Sequence, residues 1–509
     1  MELDRRACDR ARWSRDARFD GRFFIAVTST GIYCRPICPT RHAKDEHVRY
    51  LPTAAAAEAA GFRPCLRCRP EAAPGTPAWL GTSGLVSRAL RLISEGALDD
   101  DGVERLAGRL GVTARHLRRL FVQHLGATPL GVALTRRVHF AKKLLDETSL
   151  SLGQVAFASG FGSRRRFNGQ IRRTYARTPT QLRRLARRHA GAEPERYRFR
   201  LAYRPPYDWE GVLAFLAARV IPGVESVEGS RYRRTIAIGG QHGTITVSHG
   251  EARAAIGLEV RFPDPRALLA IVERVRALFD LGADPAVIGE HLGADPLLRE
   301  PLARHPGVRV PGAWDGFELA VRAILGQQVS VRAASTIAGR VASLFGSRAA
   351  DGDGPARLFP TPAQLASAPL ERAGVMPTRA DAIRGLARSV ADGTVTFGAS
   401  MDGGATVSAL RARPGIGDWT AQYVAMRALG EPDAFPSGDL VLRRVAGAAS
   451  ARELDRRSEA WRPWRAYAVM LLWQCAAGET ARPAPARRTR HEVSSRHGGS
   501  PPSRATRPS

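Results

Sequence analysis

Four cysteines carry the most specific chemical signal in the chain. Cys34 and Cys38 lie in TGIYCRPICPTR and Cys65 and Cys68 in GFRPCLRCRP, so the pattern is C-x3-C, a gap of 26 residues, then C-x2-C. Short pairs on two tight turns bring four sulfurs to the corners of a tetrahedron. That predicts one Zn2+ held by four thiolates, with metal binding offsetting the ordering cost of the intervening loop. The two remaining cysteines, Cys8 and Cys475, stand alone and read as buried or incidental residues. Arginines crowd the flanks of the four ligands (Arg35, Arg41, Arg63, Arg67 and Arg69), which predicts a zinc knob set against phosphate.

The composition points to the same kind of partner. Lys+Arg number 77 against 48 Asp+Glu, a formal net charge of +29, and all but three of the cations are arginine. Arginine suits planar, bidentate contact with phosphate or guanine. A GC-rich coding bias produces the same skew, so only the sign of the charge is used, and it predicts a polyanion. A length of 509 residues implies roughly three to four domains at about 150 residues each. No run of about 18 apolar residues occurs. Met1 to Asp20 is charged throughout and lacks the apolar stretch of a signal peptide. The expectation is a cytoplasmic protein with no membrane partner, in a reducing compartment where clustered cysteines bind metal.

After the linker EAAPGTPAWLGTSG the pattern becomes helical and doubles. In VERLAGRLGVTARHLRRLFVQHLG, Leu106, Ala107 and Leu110 form one face, Gly111 makes a turn, and Leu117, Leu120 and Phe121 face the core of a second helix. LGQVAFASGFGSRRRFNGQIRRTYARTPTQLRR repeats the plan with Val155, Ala156 and Ala158, a Gly160-Phe161-Gly162 turn, then Phe167, Ile171 and Tyr175. Each unit reads as helix-turn-helix. The outward residues of the two second helices, Thr113, Arg115, His116 and Arg119 in one and Ser163, Arg164, Arg165 and Arg166 in the other, are candidates for major-groove and phosphate contact.

From Tyr197 a helical stretch is followed by alternating short runs such as Thr235 to Ile238 and Thr244 to Val247, which predicts an α+β unit with a small antiparallel sheet. Past Pro306 the chain reads as helical to about Ala477. In LRARPGIGDWTAQYVAMRALG, the Pro414–Gly417 turn lets backbone amides of Gly415 and Gly417 approach a phosphate at a helix N-terminus, a helix-hairpin-helix arrangement. Asp439, 22 residues beyond Gly417 in FPSGDLVLRRV, stands at the start of a further helix, a position where an aspartate alone is an ordinary N-cap.

These strings carry family resemblances. FFIAVTSTGIYCRPICPTR with AGFRPCLRCRP resembles the N-terminal domain of the Ada family of DNA-methylation response proteins, over nearly all of residues 20 to 70. The tandem helical units resemble the DNA-binding domain of AraC-type activators. Hairpin, spacing and Asp439 together resemble the helix-hairpin-helix family of base-excision glycosylases, and FELAVRAILGQQVSVRAAS, WRPWRAYAVMLLWQ, PPYDW and FLAAR resemble its inducible 3-methyladenine (AlkA-like) branch, from about Leu201 to Ala477. The resemblance implies that Cys34 takes a methyl group from a DNA methyl phosphotriester and that the protein then activates transcription, with promoter DNA and RNA polymerase as partners. Losing one thiolate charge lowers repulsion from DNA by about 1 kcal/mol in water and about 4 at an effective dielectric of about 20.

For the glycosylase half, the resemblance implies a monofunctional N-glycosylase acting on alkylated double-stranded DNA. Alkylation makes a purine a good leaving group, so the carboxylate of Asp439 need only stabilise the developing oxocarbenium ion and assist water. Relatives that also cut the backbone carry a lysine where this chain has Trp419, and no lysine occurs beyond Lys143, so a Schiff-base lyase is not expected. Their four-cysteine iron–sulfur cluster is missing too, since only Cys475 lies in this half. By resemblance Phe215, Trp419, Tyr423 and Trp473 line the pocket for the flipped base. Gln328 occupies the position of the apolar wedge that fills the vacated stack.

The expected fold class is therefore multidomain α+β: a zinc methyl-acceptor domain (1–75), an all-α tandem helix-turn-helix (84–187), an α+β glycosylase domain (197–304), a helix-hairpin-helix domain (305–480) and a disordered basic tail (481–509). A P-C-H-R methyl acceptor is absent, so direct reversal of O6-methylguanine is not expected. The alternative is a transcription regulator only, whose inactive glycosylase fold serves DNA binding.

Overall fold

The computed structural model describes residues 4–74, 84–98, 102–186, 195–250, 254–349, 354–397 and 403–481. Most of the expected linker, residues 75–83, lies outside that set. Ala481, the first residue of the expected tail, ends the last helix, and the rest of the tail lies outside the described residues.

The N-terminal lobe is a small sheet braced by two helices. Helix α1 (Arg5–Ser14) starts where Asp4 accepts the amides of Arg6 and Ala7. Strands β1 (Phe24–Val27), β2 (Ile32–Cys34), β3 (Val48–Leu51) and β4 (Arg63–Pro64) stack in the order β3-β1-β2-β4, antiparallel except for the parallel β2/β4 edge. Helix α2 (Ala54–Ala59), capped by Thr53, lays Ala55, Ala56 and Ala57 on the sheet.

Next come seven helices: α3 (Gly84–Ser94), α4 (Val103–Arg109), α5 (Ala114–Leu125), α6 (Pro129–Glu147), α7 (Leu152–Ala158), α8 (Arg164–Tyr175) and α9 (Pro179–Leu185). They form the two predicted helix-turn-helix units, α4/α5 and α7/α8, joined by α6. Gly111 (φ 69°) and Gly160 (φ 80°) supply the left-handed turns. Leu117, Phe121, Phe167, Ile171 and Tyr175 are buried as their spacing predicts.

The α+β unit has a five-stranded antiparallel sheet, order β5-β9-β8-β7-β6, from β5 (Arg196–Ala202), β6 (Glu225–Glu228), β7 (Arg231–Ile238), β8 (Gln241–Gly250) and β9 (Ala255–Arg261). The predicted runs at 235 and 244 lie in β7 and β8. Helices α10 (Trp209–Ala217), α11 (Leu268–Leu278), α12 (Pro285–Leu292) and α13 (Pro296–Arg304) accompany it. The helical unit follows as α14 (Gly316–Leu325), α15 (Val331–Phe345), α16 (Pro362–Leu365), α17 (Pro377–Ala391), α18 (Gly403–Arg411), α19 (Asp418–Arg427), α20 (Leu440–Val445), α21 (Ala451–Ser458) and α22 (Arg465–Ala481). One buried core runs from Val138 on α6 to Leu472 on α22, so the second helix-turn-helix shares its interior with the C-terminal half.

Sheet and helical unit are joined by a buried ion network. Arg234 on β7 reaches Glu225 at 3.2 Å and Glu318 on α14 at 2.8 Å, and Arg322 reaches Glu225 at 3.4 Å and Glu318 at 3.5 Å. Removing one cation leaves buried carboxylates short of a partner. Arg234→Met is therefore expected to cost about 3–5 kcal/mol in chemical denaturation. Arg304→Ala, which breaks the exposed Arg304–Glu300 pair, should change stability by no more than about 0.5 kcal/mol.

Candidate functional site

The four predicted ligands come together. Their sulfurs all lie within 4.8 Å of one another. Tetrahedral zinc with Zn–S near 2.3 Å needs S–S edges of about 3.8 Å, so the set closes on an ion with movement of about an ångström or less. Register makes the cluster: β2 ends on Cys34, its parallel neighbour β4 leads into Cys65, and the Cys65 amide donates to Tyr33 O at 3.0 Å. The Arg35 amide donates to Cys68 Sγ at 3.4 Å, and Cys38 Sγ lies 3.0 Å from Thr40 Oγ1. Contacts with Cys34, Cys38 and Cys65, added to burial, push the Cys68 thiol well up; a dication at the centre favours the thiolates instead. Cys38, Cys65 and Cys68 are buried, and Cys34 is the ligand that solvent reaches.

Of the flanking arginines, Arg41, Arg63 and Arg67 are exposed. Arg35 corrects the expectation of phosphate contact. It is buried, ion-paired with Asp20, and donates to the carbonyls of Cys68 at 3.0 Å and Arg69 at 3.5 Å. A guanidinium inside the lobe has to be matched by a carboxylate, and here it ties one cysteine pair to the other.

On the helix-turn-helix units Arg115, Arg119, Arg164, Arg165 and Arg166 are exposed. Thr113 and Ser163 cap α5 and α8, accepting the amides of His116 and Arg166. His116 Nδ1 faces Arg119 at 3.1 Å. Arg137 and Arg173, not singled out from the sequence, line a cleft with Arg165 and Arg166.

In the C-terminal half, residues from four elements meet. Asp439 does cap α20, accepting the amides of Val441 at 2.9 Å and Leu442 at 3.0 Å. Its carboxylate is also held from the pocket side: Trp419 Nε1 donates to Oδ2 at 2.9 Å and Trp473 Nε1 to Oδ1 at 3.4 Å. Trp419 and Tyr423 are stacked at 5.2 Å and 6°, Tyr423 and Trp473 lie 6.2 Å apart at 52°, and Phe215 faces Trp473 at 6.3 Å and 18°. All four aromatics and Asp439 thus form one cluster.

Two loops frame it. Gly415, between α18 and α19, has φ 81°, and a Cβ there would meet Ala382 Cβ at 2.6 Å; Gly417 is the N-cap of α19. Gln328 is exposed with φ 55° between α14 and α15, a left-handed backbone that a non-glycine residue holds at a cost of about 1–3 kcal/mol. Its neighbour Gln327, missed in the sequence, fixes that loop by donating to Gly415 O at 2.9 Å and Thr420 Oγ1 at 3.1 Å.

Two arginines in the cluster were also missed. Arg427 donates to Tyr423 Oη and to the carbonyls of Pro311 and Gly312, each at 2.7 Å. The Arg219 guanidinium lies 3.8 Å from the centroid of Phe215. The i, i+4 spacing of Phe215 with Arg219 and of Tyr423 with Arg427 is visible in the sequence, yet spacing does not tell a guanidinium that turns inward from one that faces water. Burial would raise the Tyr423 phenol, but Arg427, Arg219 and Arg322 outweigh it and bring it down to about 8.

Models of known families match four segments: the metal binding domain of Ada over 7–71, a helix-turn-helix domain over 106–185, the AlkA N-terminal domain over 198–315, and the HhH-GPD superfamily of base excision DNA repair proteins over 321–462. The chain is 45% identical over 483 residues to a Mycobacterium tuberculosis protein named "Probable bifunctional transcriptional activator/DNA repair enzyme AlkA", covering 93% of this chain and 97% of that one. It is 36% identical over 279 residues to the Escherichia coli "DNA-3-methyladenine glycosylase 2", covering 54% and 96%. It is 41% identical over 125 residues to the Escherichia coli "Bifunctional transcriptional activator/DNA repair enzyme Ada", covering 24% and 34%.

The cluster has a pH signature. Folding depresses the Tyr423 pKa, so its contribution to stability is complete above the usual phenol value near 10 and is lost as pH falls through about 8. An ultraviolet titration should show one tyrosine ionising near pH 8 that is missing in Tyr423→Phe. A first tyrosine ionisation no earlier than about 9.5 would contradict this.

Proposed function

The chain belongs to the family of bifunctional transcriptional activator/DNA repair enzymes of the AlkA type, and from that premise we propose that it couples repair of alkylated DNA to its own damage signal. Cys34 accepts a methyl group from a methyl phosphotriester. The protein then activates transcription with RNA polymerase, and the C-terminal half excises alkylated purines such as 3-methyladenine. Its working units are 1–75, 84–187, 197–304 and 305–480, with a basic tail at 481–509, and it acts in the cytoplasm. DNA is the partner of both halves, and no described helix is long and apolar enough to cross a membrane.

Cys34, Cys38, Cys65 and Cys68 hold Zn2+, and the bound ion supplies thiolate character at neutral pH. The Cys34 sulfur, the solvent-reached ligand, attacks the methyl carbon. The S–C bond forms, the C–O bond breaks, and the pair of electrons leaves on the phosphate oxygen as a diester. One negative charge is lost from the sulfur centre, which weakens repulsion from the backbone that Arg41, Arg63 and Arg67 approach.

The observation that carries the glycosylase reading is the two-indole grip on Asp439 beside stacked aromatics. Four N–H donors hold the carboxylate in place beside the aromatic rings, which supports a role for it next to the sugar. The glycosidic bond breaks with its electrons leaving on the purine, and water adds to the anomeric carbon. Asp439 stabilises the intervening positive charge and takes up the water proton. Gly415 and Gly417 present amides to phosphate, and Gln328 fills the vacated stack.

The test is to incubate zinc-loaded protein with duplex DNA carrying isotopically labelled methyl lesions. Label is expected on the Cys34 peptide and in free 3-methyladenine, and Asp439→Asn should slow base release by roughly 100- to 1,000-fold while leaving methyl transfer intact. Label on the protein alone would make the glycosylase fold a DNA-binding module of a regulator. Free base alone would reduce the zinc centre to a structural clip.

A further inference from the structure

An aromatic pocket suits a cation because ring faces are electron-rich. In this protein part of that face is already taken. Arg219 lies just beyond the end of α10, with its guanidinium folded back to 3.8 Å from the centroid of Phe215 and its Nη1 donating to Phe215 O at 3.2 Å. Arg427 stands 4.7 Å from the same ring and 5.6 Å from that of Tyr423. The Arg219 carbonyl is held in turn by the Arg322 guanidinium, which belongs to the buried ion network. Arg427 is committed to two carbonyls and the Tyr423 hydroxyl. Among the described residues no carboxylate pairs with Arg219; its side-chain partner is the Tyr423 hydroxyl, and burial together with the neighbouring Arg427 and Arg322 still lowers its pKa, the mark of a cation whose charge is not fully matched.

We propose that Arg219 is a charge-selecting residue of the base pocket: its guanidinium contacts the flipped purine, opposes binding of cationic methylpurines and stabilises the departing anion of uncharged ones. The inference rests on the glycosylase reading of the Asp439 cluster. Its chemistry follows from where charge moves when the glycosidic bond breaks. A cationic purine leaves as a neutral base, so repulsion from Arg219 is strongest in the bound substrate and fades as the bond lengthens. An uncharged purine takes the bonding electrons away as an anion, so attraction to Arg219 appears only as the bond lengthens. Removing the charge should therefore tighten binding of a cationic lesion, leave binding of an uncharged one unchanged, and slow the chemical step for the uncharged base. At about 6 Å and an effective dielectric near 20, one charge shifts these quantities about ten- to a hundred-fold.

The experiment uses the full-length protein, Arg219→Gln and Arg219→Lys with two duplexes that differ in one base, 7-methylguanine or hypoxanthine. Work below neutral pH keeps the former cationic. Non-cleavable 2′-fluorinated duplexes report affinity, and cleavable ones report single-turnover excision. Arg219→Gln is expected to bind the 7-methylguanine duplex at least about tenfold more tightly than wild type does, with no change for hypoxanthine. It should also excise hypoxanthine at least about tenfold more slowly, while Arg219→Lys keeps the wild-type order. Equal changes for both bases would show a structural role for Arg219 and overturn the proposal, as would no change for either. If wild type prefers both lesions over undamaged DNA yet releases neither base, the glycosylase reading fails, and the ratio of affinities still decides the charge assignment.

Discussion

The pocket depends on a buried ion network that no single domain contains. Arg234 comes from the sheet, Glu318 and Arg322 from the first helix of the helical unit, and Glu225 from the start of β6. Carboxylates and guanidiniums this deep are tolerable only as a set, because an unpaired buried charge costs several kcal/mol. Their mutual pairing fixes how the sheet sits against α14. From that follow the position of α10, the approach of Phe215 to Trp473, and the placing of Arg219, whose carbonyl Arg322 holds.

The same logic of matched charges docks the sulfur lobe onto the rest of the chain. The Tyr33 hydroxyl is shared between Glu58 and His139 of α6, Thr135 donates to Glu58, and Thr53 donates to Leu125 O. Arg69, one residue after the ligand Cys68, reaches Glu71, Asp146 and Glu147. Lys143 on α6 pairs with Glu147 and donates to Arg200 O on β5, while Phe140 packs on Phe199. Arg22 pairs with Asp284 at 3.1 Å, and Arg276 donates to Pro74 O. The sulfur centre is thus anchored to both the DNA-binding helices and the α+β unit, and the second helix-turn-helix contributes to the larger core.

Burial also decides which arginines are available to DNA. Arg35 and Arg41 look alike in the sequence, six residues apart beside the same cysteines. One closes over Asp20 and becomes internal scaffolding, and the other stays in solvent. A strongly basic composition therefore overstates the charge that a phosphate backbone meets.

Much of the architecture was legible in the sequence because it is set by local periodicity and spacing. The C-x3-C and C-x2-C pairs, the doubled helix-turn-helix pattern with Gly111 and Gly160 at its turns, the strand runs of β7 and β8, and the cap position of Asp439 each depend on residues close along the chain. Family resemblance, not spacing, pointed to Phe215, Trp419, Tyr423 and Trp473 as a set. Only the tertiary structure decided that the Asp439 cap is also gripped by Trp419 and Trp473, that Arg35 turns inward, that Arg219 and Arg427 stand against the aromatic rings, and that Gln327 pins the loop bearing Gln328. The physical reason is that hydrophobic and helical patterns are written over a few neighbouring positions, whereas the direction a long polar side chain takes depends on whichever partners the fold brings next to it to compensate its loss of water.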